Sequence, residues 1–215
     1  MEEPRTARPF VPASRSLATL RQAADGCRGC DLYKRATQVV FGAGSREARV
    51  LLVGEQPGDR EDLEGKPFVG PAGALLTKAL EEVGLDPAAA YVTNAVKHFS
   101  WEPRGKRRIH KKPRASEIRA CRPWLEAELE AVRPHLIVCL GATASQSLLG
   151  SGFKLTAHRG ELVESPWGGR VLATIHPSAV LRAPDQDARR AAYDGLVADL
   201  SVAARALERG SRRRS

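Results

Sequence analysis

Several things are scarce in this 215-residue chain, and each scarcity narrows what it can be. No run of apolar residues approaches the roughly 20 needed to cross a bilayer, so a helical membrane span is not expected. The opening segment MEEPRTARPF holds no apolar stretch of the secretory kind, and the expected location is the cytoplasm, in association with the nucleoid if DNA is bound. Cysteines number only four (Cys27, Cys30, Cys121 and Cys139), and disulfides are not expected among them in that compartment. No internal repeat and no linker divides the chain. One domain over residues 1–208 is expected, followed by a basic tail, 209–215 (RGSRRRS), expected to be disordered. Acidic residues are missing altogether between Arg104 and Arg114 (RGKRRIHKKPR), where seven of eleven residues are Lys or Arg.

What is present is an ordinary globular composition, 42% hydrophobic and 27% charged, with a net charge of +9 that favours a polyanionic partner. Continuous apolar runs over 48–54, 90–96 and 135–140 read as strands buried on both faces. Further strand candidates lie at 37–42, 160–164 and 170–175. Helical spacing covers 14–25, 72–84, a segment capped by Ser116 and running to about 132, 142–150, and a last helix starting at Asp185 or Asp187. Strands alternating with helices predict an α/β fold, a three-layer α/β/α sandwich around a mostly parallel four-stranded sheet. Segments 55–71 and 97–114 read as loops.

In such sheets ligands bind beyond the carboxyl ends of the strands, and three motif-rich segments begin there. GEQPGDREDLEGKPFVGPAG (54–73) follows the first core strand, VTNAVK with the basic loop follows the second, and HPSAVLR follows the last. The first is a Gly/Pro-stiffened loop presenting carboxylates, an amide and one aromatic. The Cys27–Cys30 pair can chelate one centre. A tetrathiolate with Cys121 and Cys139 suits zinc or a four-iron cluster, and a single tight C-x-x-C favours iron–sulfur.

Taken together, these motifs resemble those of the family 4 uracil-DNA glycosylases, in order and at comparable spacing, from Cys27 to the last helix. The resemblance implies a uracil-DNA glycosylase-like fold and a structural [4Fe-4S] cluster on Cys27, Cys30, Cys121 and Cys139. It implies a uracil site built from Gln56, Asp59, Phe68, Asn94 and His176. Phe68 would stack on the base, Asn94 would read its imide edge, His176 would stabilise the departing uracil anion, and Glu55 would face the sugar cation.

The pentapeptide KRRIH, Lys106–His110, is similar to the hallmark loop of the UdgX group, whose members stay covalently attached to the DNA they cleave. By position His110 would attack C1′ once uracil has left, in a single turnover. Arg107, Arg108 and Lys111 are expected to keep its ring neutral. A Glu55–His110 hydrogen bond would activate the nucleophile and make the adduct inert. Lys106, Arg107, Arg108 and Lys111 are expected to contact DNA, with Arg107 and Arg108 on phosphates. His98, His135 and His158 receive no chemistry. The expected partner is uracil-containing DNA, with single strands left open as a substrate form, and the protein is expected to be a monomer. A conventional turnover glycosylase and a non-enzymatic iron–sulfur nucleic-acid-binding protein are the competing readings.

Overall fold

A computed structural model describes residues 5–167 and 169–212. Its centre is a five-stranded sheet in the order β2-β1-β5-β7-β6, built from β1 (Val50–Gly54), β2 (Tyr91–Asn94), β5 (Leu136–Leu140), β6 (Leu162–Glu164) and β7 (Arg170–Thr174). The first four in that order run parallel, and β6 adds an antiparallel edge on β7. The parallel strands are the apolar runs of the sequence, and β1 and β5 are buried at every position. The fifth strand is the departure from four: β6 is a short hairpin return, half-buried on its apolar positions, which pairs antiparallel without a crossover helix.

Side chains alternate between two faces of the sheet. Leu51, Val53, Ile137, Cys139, Val171 and Ala173 form one core with α4 (Ala115–Val132) and α5 (Ala142–Leu149). Val50, Leu52, Leu136, Val138, Leu140 and Leu172 form another with α3 (Pro71–Glu82) and α8 (Gln186–Arg212). The three layers expected from the sequence follow directly. A third cluster lies off the sheet, where α1 (Leu17–Ala24) and the Cys27–Leu32 segment pack on α4 around Trp124.

Several boundaries differ from the sequence reading. Residues 37–42 are not a strand; only Ala43 bridges to Val92. Helix α4 starts one residue before Ser116, and Glu117 accepts from the Arg114 amide at 2.7 Å to close its first turn. Asp185 caps α8 by accepting from the Ala188 amide at 2.7 Å. That helix continues to Arg212, so the first residues of the supposed tail are helical, and 213–215 lie outside the described residues.

Both supposed loops also contain regular structure. Residues Asp59–Glu64 form α2, and the basic segment folds into a hairpin of β3 (Trp101–Arg104) and β4 (Arg107–His110). Gly105, at φ 60, supplies the left-handed turn between them. Short helices α6 (Leu155–His158) and α7 (Pro177–Leu181) complete the chain.

Candidate functional site

A cavity of about 460 Å³ opens at the carboxyl ends of β1, β2, β5 and β7. Glu55, Gln56, Phe68, Asn94, His110 and His176 line it together, although they come from five separate stretches of chain. The parallel register explains the convergence: Gly54 pairs with Asn94, and Leu140 with Thr174, so the segments after each strand emerge side by side.

Phe68 and His176 face one another across the cavity, ring centroids 6.1 Å apart and planes inclined by 27°. Phe68 holds a left-handed backbone at φ 56, a conformation costing a non-glycine residue on the order of 1–2 kcal/mol. The surrounding chain enforces it. A Cβ on Gly54 would lie 2.3 Å from Asn94 Oδ1 and 2.7 Å from Phe68 Cζ, so only glycine lets the amide and the ring close on the same spot. Glu61 ties the two ends of this loop, accepting from Gly58 N at 3.1 Å and Gly70 N at 2.7 Å.

Asn94 is buried at the end of β2. Its carbonyl accepts from Lys97 Nζ at 2.7 Å, leaving the side-chain amide on the cavity wall. Lys97 and Glu128 are both fully buried, and they pair with each other and with Thr93. Removing either partner would strand a buried charge, at a cost of roughly 3–5 kcal/mol.

His176 is held as a hydrogen-bond donor. Its Nδ1 accepts from the Ser178 amide at 3.1 Å, and the Ser178 hydroxyl lies 2.7 Å from the same nitrogen while accepting from Arg182 Nη1 at 2.9 Å. Burial, reinforced by Arg182 and His110, pushes the His176 pKa down to about 4. The ring is therefore neutral at pH 7, and the remaining proton sits on Nε2.

His110 closes the opposite wall from the end of β4. Its Nε2 lies 2.8 Å from Gln56 Nε2. The Gln56 amide cannot be turned round, because Ser100 N donates to its Oε1 at 2.8 Å. Gln56 Nε2 is thus the donor, toward His110 Nε2 and the carbonyls of Ser100 and Lys111. His110 accordingly carries its proton on Nδ1, and its Nε2 lone pair accepts from Gln56. Its pKa is lowered chiefly by partial desolvation of the half-exposed ring, with Glu55 acting in the opposite sense and Arg182 adding to the lowering. The cause expected from Arg107, Arg108 and Lys111 is replaced by these.

The expected Glu55–His110 hydrogen bond is not formed. Glu55 Oε1 stands 3.7 Å from His110 Nε2, beyond hydrogen-bond range, and it faces the unprotonated nitrogen rather than the protonated one. The other oxygen, Oε2, accepts from the Thr143 hydroxyl, a residue without any motif signal in the sequence.

Three assigned roles change: the Gln56 side chain, expected at the uracil, is occupied by Ser100, Lys111 and His110. Arg108 does not project to solvent as a phosphate ligand. Its guanidinium pairs with Asp59 Oδ1 at 2.6 Å and Asp62 Oδ2 at 2.6 Å, donates to Thr37 Oγ1 at 3.0 Å, and lies over the Phe99 and Trp101 rings. It straps the hairpin to α2. Asp59 is consumed in that strap and does not line the cavity. Lys106 and Arg107 are exposed at the hairpin tip, and Lys111 pairs with Glu102 at 3.4 Å. Lys112, which the sequence reading passed over, lines the cavity and is exposed.

Three of the four thiols share a corner. Cys27, Cys30 and Cys121 lie in the cluster around Trp124. Trp124 Nε1 donates to Cys27 Sγ at 3.2 Å and Lys97 N to Cys121 Sγ at 3.3 Å, the N–H···S contacts that suit thiolate ligands. Cys139 stands apart in β5, in register with Val53 and Ala173 and packed in the core of the sheet. A strand position surrounded by apolar side chains is incompatible with the four-cysteine set expected from the sequence. Among the described residues no three donors stand at metal-ligating spacing. His98, buried and pushed down to about 4 by that burial, directly follows Lys97.

A family model described as the uracil DNA glycosylase superfamily matches residues 41–201. A type-4 uracil-DNA glycosylase of Archaeoglobus fulgidus is 41% identical over 74% of this chain and 79% of its own. One from Thermotoga maritima is 37% identical over 79% of this chain and 85% of its own. A type-5 uracil-DNA glycosylase of Thermus thermophilus is 34% identical over 65% of this chain and 68% of its own.

Proposed function

The chain belongs to the uracil-DNA glycosylase superfamily, and we propose that it excises uracil from DNA and then captures the sugar on His110, as members of the UdgX group do. One observation carries the covalent part: His110 Nε2, kept unprotonated by the Gln56 donor, lines the same cavity as Asn94, Phe68 and His176. A phosphate-binding loop would have no use for that placement.

The uracil ring stacks on Phe68, with its imide edge on the Asn94 amide and a carbonyl oxygen toward His176 Nε2. As the glycosidic bond breaks, its electron pair leaves on uracil, and the neutral His176 donates its Nε2 proton as a hydrogen bond to the developing oxyanion. Positive charge grows on the sugar beside the Glu55 carboxylate. His110 Nε2 then releases the Gln56 hydrogen bond and gives its pair to C1′, in competition with water. A ring fixed at the reaction site wins through effective molarity. The imidazolium so formed loses its Nδ1 proton to solvent, because Glu55 faces the other nitrogen. Hydrolysis of the neutral adduct would have to expel imidazolate, a poor leaving group. Residues 5–212 act here as one domain.

A [4Fe-4S] cluster would be held at the corner shared by Cys27, Cys30 and Cys121. With Cys139 in the core, we assign the fourth position to His98, a buried neutral imidazole one residue past the amide that bonds Cys121. The cluster would cross-link α4 to the N-terminal segment, a structural role.

Incubation with a uracil-containing oligonucleotide tests the whole reading. An SDS-resistant band on uracil DNA and none on matched thymine DNA is expected. Repeated turnover with no such band would make the protein a conventional glycosylase, and salt-sensitive binding without uracil preference would remove the enzymatic reading.

A further inference from the structure

Glu55 lies on the cavity wall beside His110, and its two oxygens are treated differently. Oε2 accepts from the hydroxyl of Thr143, a buried residue in the first turn of α5. Oε1 is left toward His110 Nε2 at 3.7 Å. The contact follows from the topology: β1 and β5 are parallel neighbours with Val53 opposite Cys139, so the residue after β1 meets the helix that starts after β5. A helix start is also a favourable place for a carboxylate.

We propose that Thr143 is a positioning residue that decides how the sugar cation is captured. This inference rests on the covalent reading given above. With Oε2 tied, Glu55 cannot rotate, and Oε1 occupies the space beside C1′ where a water would otherwise be polarised for attack. The sugar cation then meets His110 Nε2, which exchanges its Gln56 hydrogen bond for the bond to C1′. Without the tether the carboxylate swings. A water can hydrogen-bond to it, attack C1′ through oxygen and pass its proton to the carboxylate, giving free abasic DNA. Thr143 itself neither gains nor loses a proton in either branch.

The test measures two quantities on one uracil-containing oligonucleotide: the rate of uracil release, and the fraction of released uracil matched by protein–DNA adduct. Thr143→Val keeps the shape and removes the hydroxyl. It should slow release about tenfold, the scale of a lost hydrogen bond to a charged group. It should also drop the adduct fraction from nearly complete to below half. Thr143→Ser should restore both. A purely structural threonine could lower the rate or the melting temperature, but it would leave the adduct fraction unchanged. If Thr143→Val melts lower than the parent, the Thr143→Ser and Thr143→Ala pair is compared below both transitions, with the serine variant expected to keep the adduct fraction and the alanine variant to lose it. An unaltered adduct fraction in the variants lacking the hydroxyl overturns the inference. Absence of adduct in the parent protein overturns the covalent reading instead, so the two failures are distinguishable.

Discussion

Gln56 hands a hydrogen bond to His110: its Nε2 lies 2.8 Å from the imidazole Nε2, and its own orientation is locked by the Ser100 amide. That contact fixes which ring nitrogen keeps the proton, and therefore which one can attack. Gln56→Glu removes the donor while preserving size. Adduct formation should fall about tenfold, while uracil release changes by much less. Parallel gel and uracil-release assays check this, and equal losses in both would deny Gln56 its tautomer role.

The Arg108 strap makes a prediction opposite to that of an ordinary basic loop. Each phosphate contact removed should lower the salt slope of DNA binding by about 1. Arg108→Ala should leave the slope unchanged, because its guanidinium is held by Asp59 and Asp62, yet it should reduce adduct formation by releasing the hairpin that carries His110. Lys112→Ala, at the exposed rim of the cavity, should lower the slope. Binding titrations across salt concentrations separate the two.

Acid should weaken both capture and stability. The His110 pKa is held below its ordinary value, chiefly by burial, so the nucleophilic neutral form dominates near pH 7. Adduct formation should be flat above pH ~6.5 and decline as the pH falls through the lowered pKa. His176, at about 4 in the folded protein, is protonated more easily in the unfolded chain. The unfolded state therefore binds the extra proton first, and this contribution to stability is complete above pH ~6.5 and lost toward pH 4. A rate that rises between pH 7 and pH 5 would contradict the assignment of neutral His110 as nucleophile.

Iron content separates the thiols. Cys121→Ser and His98→Ala should each lose most bound iron and the brown chromophore after anaerobic purification, whereas Cys139→Ala should retain both. The last substitution creates only a small core cavity, at about 1 kcal/mol. Iron loss in Cys139→Ala with full retention in His98→Ala would restore the four-cysteine set.

The sheet was legible because β1, β2, β5 and β7 are short apolar runs buried by helices on both faces, and their strand ends carry the residues that converge. Helix α2 and the β3–β4 hairpin were not, since polar, Gly- and Pro-rich segments have no period to read. Their shape comes from a pairing distant in sequence, Arg108 with Asp59 and Asp62. Charge alone made Arg108 look like a DNA ligand. Cys139 illustrates the reverse error: counting thiols supplied a fourth, while its LIVCL setting already marked a core strand. Thr143 left no trace in the sequence, as a threonine near a helix start is ordinary and only the fold brings Glu55 to it.

Mass spectrometry of the protein after incubation with a uracil-containing oligonucleotide tests the covalent assignment most directly. A digest should place one deoxyribose-linked adduct on the peptide containing His110, with fragmentation locating it on the imidazole, and His110→Ser should replace it with free abasic DNA. Uracil release with no mass added at His110, or an adduct on another residue, would contradict it.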